Sequence, residues 1–226
     1  MSYESNSQNN QWEIFKLEEL SSKRVKTNSP WLEFIDKASM SMGLYELPTG
    51  GTDNQTPHQE DEVYYIVEGS GTLEVADDTY AASPGSLIYV KAHVPHRFVD
   101  IKKDLKVLVI FSKTPYDVND MDWKAWEMKD VFTRKSDANE WNPFLTVSTL
   151  QWGMYMLPQK LGGDETLTHK VDEVNIVVNG KAKFKMGNDV VDVQPGSIMW
   201  VKKGVGHYFY DLEGNFDVLI MFEKKK

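Results

Sequence analysis

The chain repeats itself once along its length. A shift of 111 residues aligns 53–111 with 164–222 without a gap, and 20 of the 59 aligned positions are identical. Solenoid repeats have periods of 20–50 residues, so a repeat this long indicates two copies of one small domain. We predict domains at 12–112 and 123–223, joined by a polar linker at 113–122.

The ends of the chain, 1–11 and 224–226, are predicted to be flexible tails because they are polar or charged. The first residues lack the basic and apolar regions of a secretion signal, and the longest apolar runs have five residues. We therefore expect a soluble, cytoplasmic protein. The net charge of −9 argues against binding to nucleic acid or to an anionic membrane.

Short segments rich in β-branched and aromatic residues recur in both copies. Segments 63–67, 86–90 and 107–111 of the first copy have counterparts in the second, and Gly, Pro, Asn and Asp separate them. Many short strands at close spacing predict an all-β domain, either an antiparallel sandwich or a small barrel. Residues 122–137 are compatible with one helix, but their periodicity is ambiguous.

Histidine and glutamate are the candidate metal ligands, because the chain contains no cysteine. That absence excludes disulfides, thiolate zinc sites, iron–sulfur clusters and cysteine nucleophiles. In each copy a His is followed by three residues and a Glu, and then by 33 residues and a second His. The predicted ligands are His58, Glu62 and His96 in the first copy and His169, Glu173 and His207 in the second.

The spacing of these residues predicts that they converge. Residues four apart on a strand share a face, so His58 and Glu62 should point the same way, and the following hairpin can return His96 to them. Two imidazoles and one carboxylate form the facial triad suited to Fe(II), with Mn, Ni, Co or Zn as alternatives. For any single histidine, a half-buried, hydrogen-bonded residue without a metal is the alternative. We predict a divalent transition metal in at least one copy.

The two motifs resemble those of the cupin family, G-x5-H-x-H-x3,4-E-x6-G followed by G-x5-P-x-G-x2-H-x3-N. In the first copy they correspond to 50–69 and 85–100, and in the second to 161–180 and 196–211, with fifteen residues between motifs each time. The resemblance implies a bicupin, which consists of two tandem jelly-roll β-barrels related by internal duplication. It also implies a fold that hosts dioxygenases, isomerases, epimerases, lyases and decarboxylases.

The chain departs from the family pattern at the first motif histidine, which is Thr56 in one copy and Leu167 in the other. Cupin metals are commonly held by three His and one Glu, so the resemblance implies only three strong ligands in each copy. Thr56 can add a weak hydroxyl ligand or orient a bound water. Leu167 cannot ligate a metal.

Strand alternation from the predicted ligands identifies further site residues. Tyr64 is the candidate catalytic residue, because its hydroxyl can donate a proton or a hydrogen bond to a metal-bound substrate. A tyrosine packed in the core with its hydroxyl satisfied elsewhere is the alternative. The candidate substrate-binding residues are Thr56, Glu60, Phe98, Asn175 and Phe209.

We expect a metal-dependent enzyme. By resemblance, this is a non-haem Fe(II) dioxygenase acting on a small aromatic or oxygenated metabolite, with the more polar first copy as the reactive one. The alternatives are a non-catalytic bicupin that binds a sugar-like molecule, and a cupin isomerase or epimerase. The expected partner is a small-molecule substrate or ligand, with neither nucleic acid nor membrane, and a homo-oligomer is compatible with the sequence.

Overall fold

The computed structural model describes residues 11–118 and 120–224. Strands dominate this part of the chain. In the first half they are β1 (Trp12–Lys16), β2 (Trp31–Asp36), β3 (Met40–Leu47), β4 (Asp61–Val75), β5 (Asp78–Ala82), β6 (Ser86–Val90) and β7 (His96–Ser112). In the second half they are β8 (Trp123–Glu127), β9 (Glu140–Thr146), β10 (Leu150–Leu157), β11 (Glu173–Met186), β12 (Asp189–Val193), β13 (Ser197–Val201) and β14 (His207–Glu223). The helices are α1 (Leu17–Thr27), the short α2 (Met128–Val131) and a 3-10 turn at Gln159–Leu161.

The chain folds into two compact units. Barrel A comprises Leu20–Val131 and Val147–Thr149, and barrel B comprises Phe132–Thr146, the described residues from Leu150 onwards and the described N-terminal residues to Glu19. The strand order is β2-β3-β7-β4-β6-β8 in barrel A, with β5 beside β4. In barrel B it is β9-β10-β14-β11-β13-β1, with β12 beside β11. All strand pairs are antiparallel, which confirms the predicted all-β, duplicated fold.

The long strand pairs β4–β7 and β11–β14 form the middle of each sheet. Their register shifts at successive bulges beyond Ile66 and Val177, and such bulges bend and twist a strand pair. Gly69 lies at one of the bends with φ of 88°, and a Cβ there would lie 2.1 Å from the Asp104 carbonyl oxygen. Only glycine fits this backbone, which explains the glycine that ends the first motif.

Each barrel has its own hydrophobic core. The inward residues of β4, β6 and β7 build the core of barrel A, and those of β11, β13 and β14 build that of barrel B. The strands β6 and β13 are buried along their whole length, as expected for strands with neighbours on both edges and packing on both faces. The strands that carry the predicted ligands therefore also contribute side chains to the cores.

The compact units differ from the predicted domains 12–112 and 123–223 at the first strand of each copy. Strand β1 pairs with β13 in barrel B, and β8 pairs with β6 in barrel A. The registers are equivalent, because Trp12 lies opposite Val201 and Trp123 lies opposite Val90. The sequence of β1 or β8 does not reveal which barrel the strand joins, because β6 and β13 pair with them in equivalent registers.

Three smaller predictions concern segments outside the strands. The predicted tail 1–11 lies outside the described residues except for Gln11, whose carbonyl accepts a hydrogen bond from the Lys202 N–H. The tail 224–226 is likewise described only at Lys224. The described residues of 113–122 form neither helix nor strand, and 122–137 contain β8 and α2 rather than one helix.

Within the described ranges, no helix is long and apolar enough to cross a membrane.

Replacing Trp12 with Ala tests the position of β1. Trp12 belongs to the core of barrel B and is 5% exposed, so we expect a loss of about 3–5 kcal/mol in that barrel's free energy of unfolding. Native-state hydrogen exchange should show faster exchange for amides of β11 and β13. Lys16→Ala in the same strand is the control, because Lys16 is exposed. Faster exchange in β4 and β6 instead would show that β1 stabilises the other barrel.

Candidate metal sites

The three predicted ligands of each copy come from a loop and two central strands. In barrel A, His58 lies in the loop before β4, Glu62 is the second residue of β4 and His96 is the first residue of β7. In the antiparallel β4–β7 pair, Glu62 lies opposite Phe111 and His96 lies opposite Val75. The two ligands therefore begin at opposite ends of the ladder, and the bends at its bulges bring them together. Barrel B uses the corresponding loop, β11 and β14.

The side chains of the first triad converge. The Nε2 atom of His96 lies 2.7 Å from Oε1 of Glu62, and the Nε2 atom of His58 lies 3.8 Å from Oε2 of the same carboxylate. One ligand atom from each of the three residues lies within 4.8 Å of the others. Glu62 is 1% exposed, so its charge is withdrawn from water.

The second triad has nearly the same geometry. In barrel B the Nε2 atom of His207 lies 2.7 Å from Oε1 of Glu173, and that of His169 lies 3.6 Å from Oε2. The centroids of the two imidazole rings are 5.4 Å apart, compared with 5.5 Å in barrel A. The duplication therefore preserves the arrangement of these groups as well as their spacing in sequence.

Backbone carbonyls orient the buried imidazoles. Nδ1 of His96 lies 2.8 Å from the Val94 carbonyl oxygen, and Nδ1 of His207 lies 2.9 Å from that of Val205. A carbonyl can only accept, so each Nδ1 carries the proton and donates it. In the neutral ring this leaves the Nε2 lone pair directed to the carboxylate, as in histidines that ligate metals.

Several buried atoms of the triads have no aligned hydrogen bond within the described residues. They are Oε2 of Glu62, Nε2 of His96 and both carboxylate oxygens of Glu173. Lone pairs this close repel unless a cation lies between them, and a buried, unpaired carboxylate is costly. These atoms and the donor set fit a divalent transition metal held by two imidazoles and a carboxylate.

The same electrostatics appears in the histidine pKa values. Burial alone would lower the pKa of His96, but the Glu62 carboxylate and the Val94 carbonyl outweigh burial, so the pKa is raised. His207 behaves in the same way beside Glu173 and Val205. Burial lowers the pKa of His169, although Glu173 opposes that effect. Each carboxylate thus favours positive charge at its buried imidazole.

The predicted reason for convergence was wrong in one respect. His58 and His169 do not lie on the strand with their glutamates, because the chain bends before β4 and β11. A turn holds each loop instead: the backbone N–H of His93 donates to the His58 carbonyl at 2.8 Å, and that of Gly204 donates to the His169 carbonyl at 2.8 Å. The two turn residues have φ of 67° and 80°.

Asp53 fastens the same loop to β7, which the sequence analysis missed. Its Oδ2 accepts from the Phe98 N–H at 2.8 Å, and its Oδ1 accepts from the Tyr45 hydroxyl at 2.7 Å. The twin residue Asp164 accepts from the Phe209 N–H at 2.8 Å, and burial raises its pKa to about 6. The signal in the sequence that could have identified this anchor is that Asp53 and Asp164 are identical at equivalent positions of the repeat.

A pocket of about 460 Å³ opens onto the first triad. Its other lining residues are Trp31, Glu33, Ser41, Tyr45, Gln55, Glu60, Tyr64, Val109, Phe111 and Lys113. The Trp31 ring lies against Gly43 of β3, where a Cβ would be 2.1 Å from a ring carbon, so this aromatic wall requires glycine. Gly153 gives the same room to Trp141 in barrel B.

Tyr64 lines the pocket beside the triad. It is 1% exposed, its ring centroid is 5.9 Å from that of His96, and its hydroxyl donates to Oε1 of Gln55 at 3.1 Å. Burial, followed by the charge of Glu62, raises the pKa of Tyr64 well above its ordinary value. The hydroxyl therefore remains protonated near neutral pH, with its hydrogen directed to Gln55.

A second pocket, of about 520 Å³, reaches the triad of barrel B at His169. It is lined by His169 together with Trp141, Gln151, Tyr155, Leu167, Lys170, Val171, Ile220, Phe222, Glu223 and Lys224. The aromatic walls repeat those of the first pocket, because Trp141, Tyr155 and Phe222 are the counterparts of Trp31, Tyr45 and Phe111. The pockets differ beside the histidine ligand, where Lys170 and Val171 replace Gln59 and Glu60.

The candidate substrate-binding residues have different locations. Glu60 lines the pocket of barrel A, whereas Thr56 is exposed and does not line it. Asn175 is buried on β11, two residues after Glu173. Phe98 and Phe209 are 1% and 2% exposed, so they pack in the two hydrophobic cores and do not line the pockets. Phe98 instead packs against Tyr64, with ring centroids 5.5 Å apart.

Comparisons with known proteins agree with this fold. Residues 43–111 match the family model described as the cupin domain. An uncharacterized protein of Streptomyces coelicolor is 44% identical over 98 residues, which are 43% of this chain and 93% of that protein. An acireductone dioxygenase of Leishmania infantum is 42% identical over 64 residues, which are 26% of this chain and 19% of that enzyme. The structure of a salicylate 1,2-dioxygenase from Pseudaminobacter salicylatoxidans superposes with a TM-score of 0.77 at 13% identity, covering 98% of this chain and 86% of that one.

Two antiparallel β-barrels, each with a His–Glu–His cluster at its loop end, define a bicupin with two candidate metal sites. The chain belongs to the cupin superfamily.

Asp53→Ala tests whether the loop anchor maintains the first site. Loss of the bonds to Phe98 and Tyr45 should release the His58 loop and lower the metal affinity of barrel A by about tenfold or more. Competition with a chromophoric chelator measures this affinity. Asp104→Ala, at an exposed carboxylate of the same barrel, is the control and should bind metal normally. An unchanged affinity for Asp53→Ala would mean that the loop is held without this anchor.

Proposed function

We propose that this bicupin is a metal-dependent dioxygenase acting on a small aromatic or oxygenated metabolite, with the reactive site in barrel A. The observation that carries the proposal is the buried triad of His58, Glu62 and His96, whose ligand atoms converge at the base of an open pocket. Two imidazoles and one carboxylate occupy only part of a metal's coordination sphere, and this ligand set is characteristic of non-haem Fe(II) oxygenases.

The bound metal would supply Lewis acidity and redox chemistry at this triad. The protein's own contribution is to hold the ligands and to exclude water. Glu62 is held on the central strand, the Val94 carbonyl fixes the tautomer of His96, and the turn at His93 fixes the backbone of His58. A dioxygenase reaction adds both atoms of dioxygen to the substrate, so it needs no separate reductant.

The pocket of barrel A has dimensions and walls suited to a small molecule. Its volume of about 460 Å³ falls within the usual range for small-molecule sites. Trp31, Tyr45 and Phe111 offer aromatic surface, and Glu60 and Gln55 offer polar groups near the triad. This combination supports a planar or oxygenated metabolite as the substrate class.

Tyr64 is the proposed proton and hydrogen-bond donor. Its buried hydroxyl stays protonated, and its ring lies beside that of His96. A substrate oxygen held at the triad would take over the hydrogen that Tyr64 now donates to Gln55. Asn175 occupies the equivalent position in barrel B and cannot serve as a proton donor. This difference supports barrel A as the site of turnover.

Two of the similar proteins named above carry dioxygenase names, which supports an oxidative reaction. An isomerase or epimerase is the second candidate, and the Tyr64 hydroxyl beside the triad favours it, since such reactions move a proton without oxidation. Dioxygen uptake distinguishes the first candidate. Exchange of substrate C–H hydrogen with solvent deuterium, without uptake, distinguishes the second, and ligand binding without either indicates a non-catalytic bicupin.

Metal analysis tests the sites directly. Protein purified with Fe(II) should carry two metal ions per chain, since both triads have the same geometry. Glu62→Ala and Glu173→Ala should each remove one ion, and the double variant should remove both. Glu68→Ala, at an exposed residue of β4, is the control. Full metal content in the double variant would refute the ligand assignment.

Tyr64→Phe tests the donor. The variant should keep its metal and lose at least about 100-fold in kcat, because general acid catalysis contributes about 10²–10⁴-fold. Dioxygen uptake with a panel of catechols, flavonols and hydroxy acids provides the assay, and iron content provides the check on the site. Tyr65→Phe is the matched control, since adjacent strand residues face opposite sides of the sheet. Undiminished turnover in Tyr64→Phe would remove this residue from the mechanism.

A further inference from the structure

The pocket of barrel B keeps the triad but changes its surroundings. We infer that it binds an apolar monocarboxylate, a ligand class that barrel A disfavours. The inference rests on the metal site proposed for barrel B, and it is independent of turnover in barrel A.

The charged residues around the two pockets have opposite balance. Besides its triad, the pocket of barrel A is lined by two carboxylates, Glu33 and Glu60, and by Lys113, whose ammonium group already pairs with Asp36. The pocket of barrel B is lined by Lys170 and Lys224 and by one carboxylate, Glu223. An anion is therefore attracted to the mouth of barrel B and repelled from that of barrel A.

Two adjacent differences between the repeats contribute to this change of charge. Lys170 occupies the position of Gln59, and Val171 occupies that of Glu60. Beside the His169 ligand, barrel B thus has a basic residue where barrel A has a neutral one, and an apolar residue where barrel A has an acidic one. Both Lys170 and Val171 line the pocket.

A buried donor lies on the triad side of β11. Asn175 is 1% exposed, and its Nδ2 atom has no hydrogen-bond partner among the described residues. Residues two apart on a strand share a face, so Asn175 lies on the same side as Glu173. An amide N–H requires an acceptor, and a carboxylate oxygen at the triad would supply one.

The remaining walls fit an apolar body. Trp141, Leu167, Ile220 and Phe222 line the pocket, which has a volume of about 520 Å³. Leu167 stands where the family has a ligating histidine, so it converts a coordination position into apolar surface. A carboxylate head near the triad and an aromatic or branched body against these side chains would satisfy both parts of the pocket.

The test isolates barrel B with the Glu62→Ala variant loaded with Co(II), and the probe is 4-fluorophenylacetate. The visible spectrum of Co(II) reports the metal, and the ¹⁹F line width reports the ligand. We expect saturable binding that perturbs both signals and is at least tenfold tighter than binding of 4-fluorophenylacetamide. The reciprocal Glu173→Ala variant, with Co(II) in barrel A alone, should bind the acid at least tenfold more weakly.

Exchange of pocket residues between the barrels sharpens the test. Lys170→Gln with Val171→Glu, which installs the residues of barrel A, should lower affinity for the acid at least tenfold while the Co(II) spectrum of the free site persists. Asn175→Leu should lower it about fivefold, and Lys183→Gln, an exposed lysine elsewhere on barrel B, should not. Equal affinity in both barrels, or in the exchanged variant, would overturn the inference and leave the metal sites standing. Failure of Co(II) to bind in Glu62→Ala would instead overturn the metal site and the inference together.

Discussion

A buried carboxylate beside an imidazole lone pair is the constraint that both barrels share. Glu62 and Glu173 begin the central strands and are almost wholly buried, and in each case the Nε2 atom of a histidine lies 2.7 Å from one oxygen. A buried carboxylate this close to an imidazole nitrogen is stable only if the imidazole is protonated or a cation lies between the two groups. The raised pKa values of His96 and His207 express that requirement, and a divalent cation meets it with the second histidine as an additional ligand. The rest of each barrel keeps these groups in place.

The supporting interactions come from backbone and carboxylate groups rather than from further ligands. The carbonyl of Val94 fixes one imidazole, the turn at His93 fixes the loop of the other, and Asp53 ties that loop to β7. Barrel B repeats the carbonyl, the turn and the aspartate. The scaffold and the aromatic walls are duplicated, but the residues that follow the first histidine ligand are not, so two equivalent clusters face pockets of different charge. The Tyr64 hydroxyl belongs to one and the Asn175 amide to the other, and this supports different roles for the two barrels.

Sequence patterns predicted the strands and the ligand residues because both leave local signals. A β-branched segment between turn residues predicts a strand wherever it pairs, and His and Glu at equal spacing in two diverged copies are a strong sign of a shared site. The same reasoning failed where position depends on the path of a loop. His58 reaches Glu62 through a bend rather than along a strand, and Phe98 lies in the core although it follows His96 by two residues. Asp53 was missed because an aspartate in a loop has many common structural roles.

Two related β-domains, and six side chains suited to hold metal, could be inferred from the amino-acid sequence without coordinates. Those properties follow from residue type and spacing, which the duplication records twice. That β1 completes barrel B and β8 completes barrel A became evident only in the folded chain, because the two strands pair with their partners in equivalent registers. The tertiary structure also decided which residues line the pockets. Pocket walls are built from residues far apart in sequence, and their common surface exists only after the strands and loops have packed.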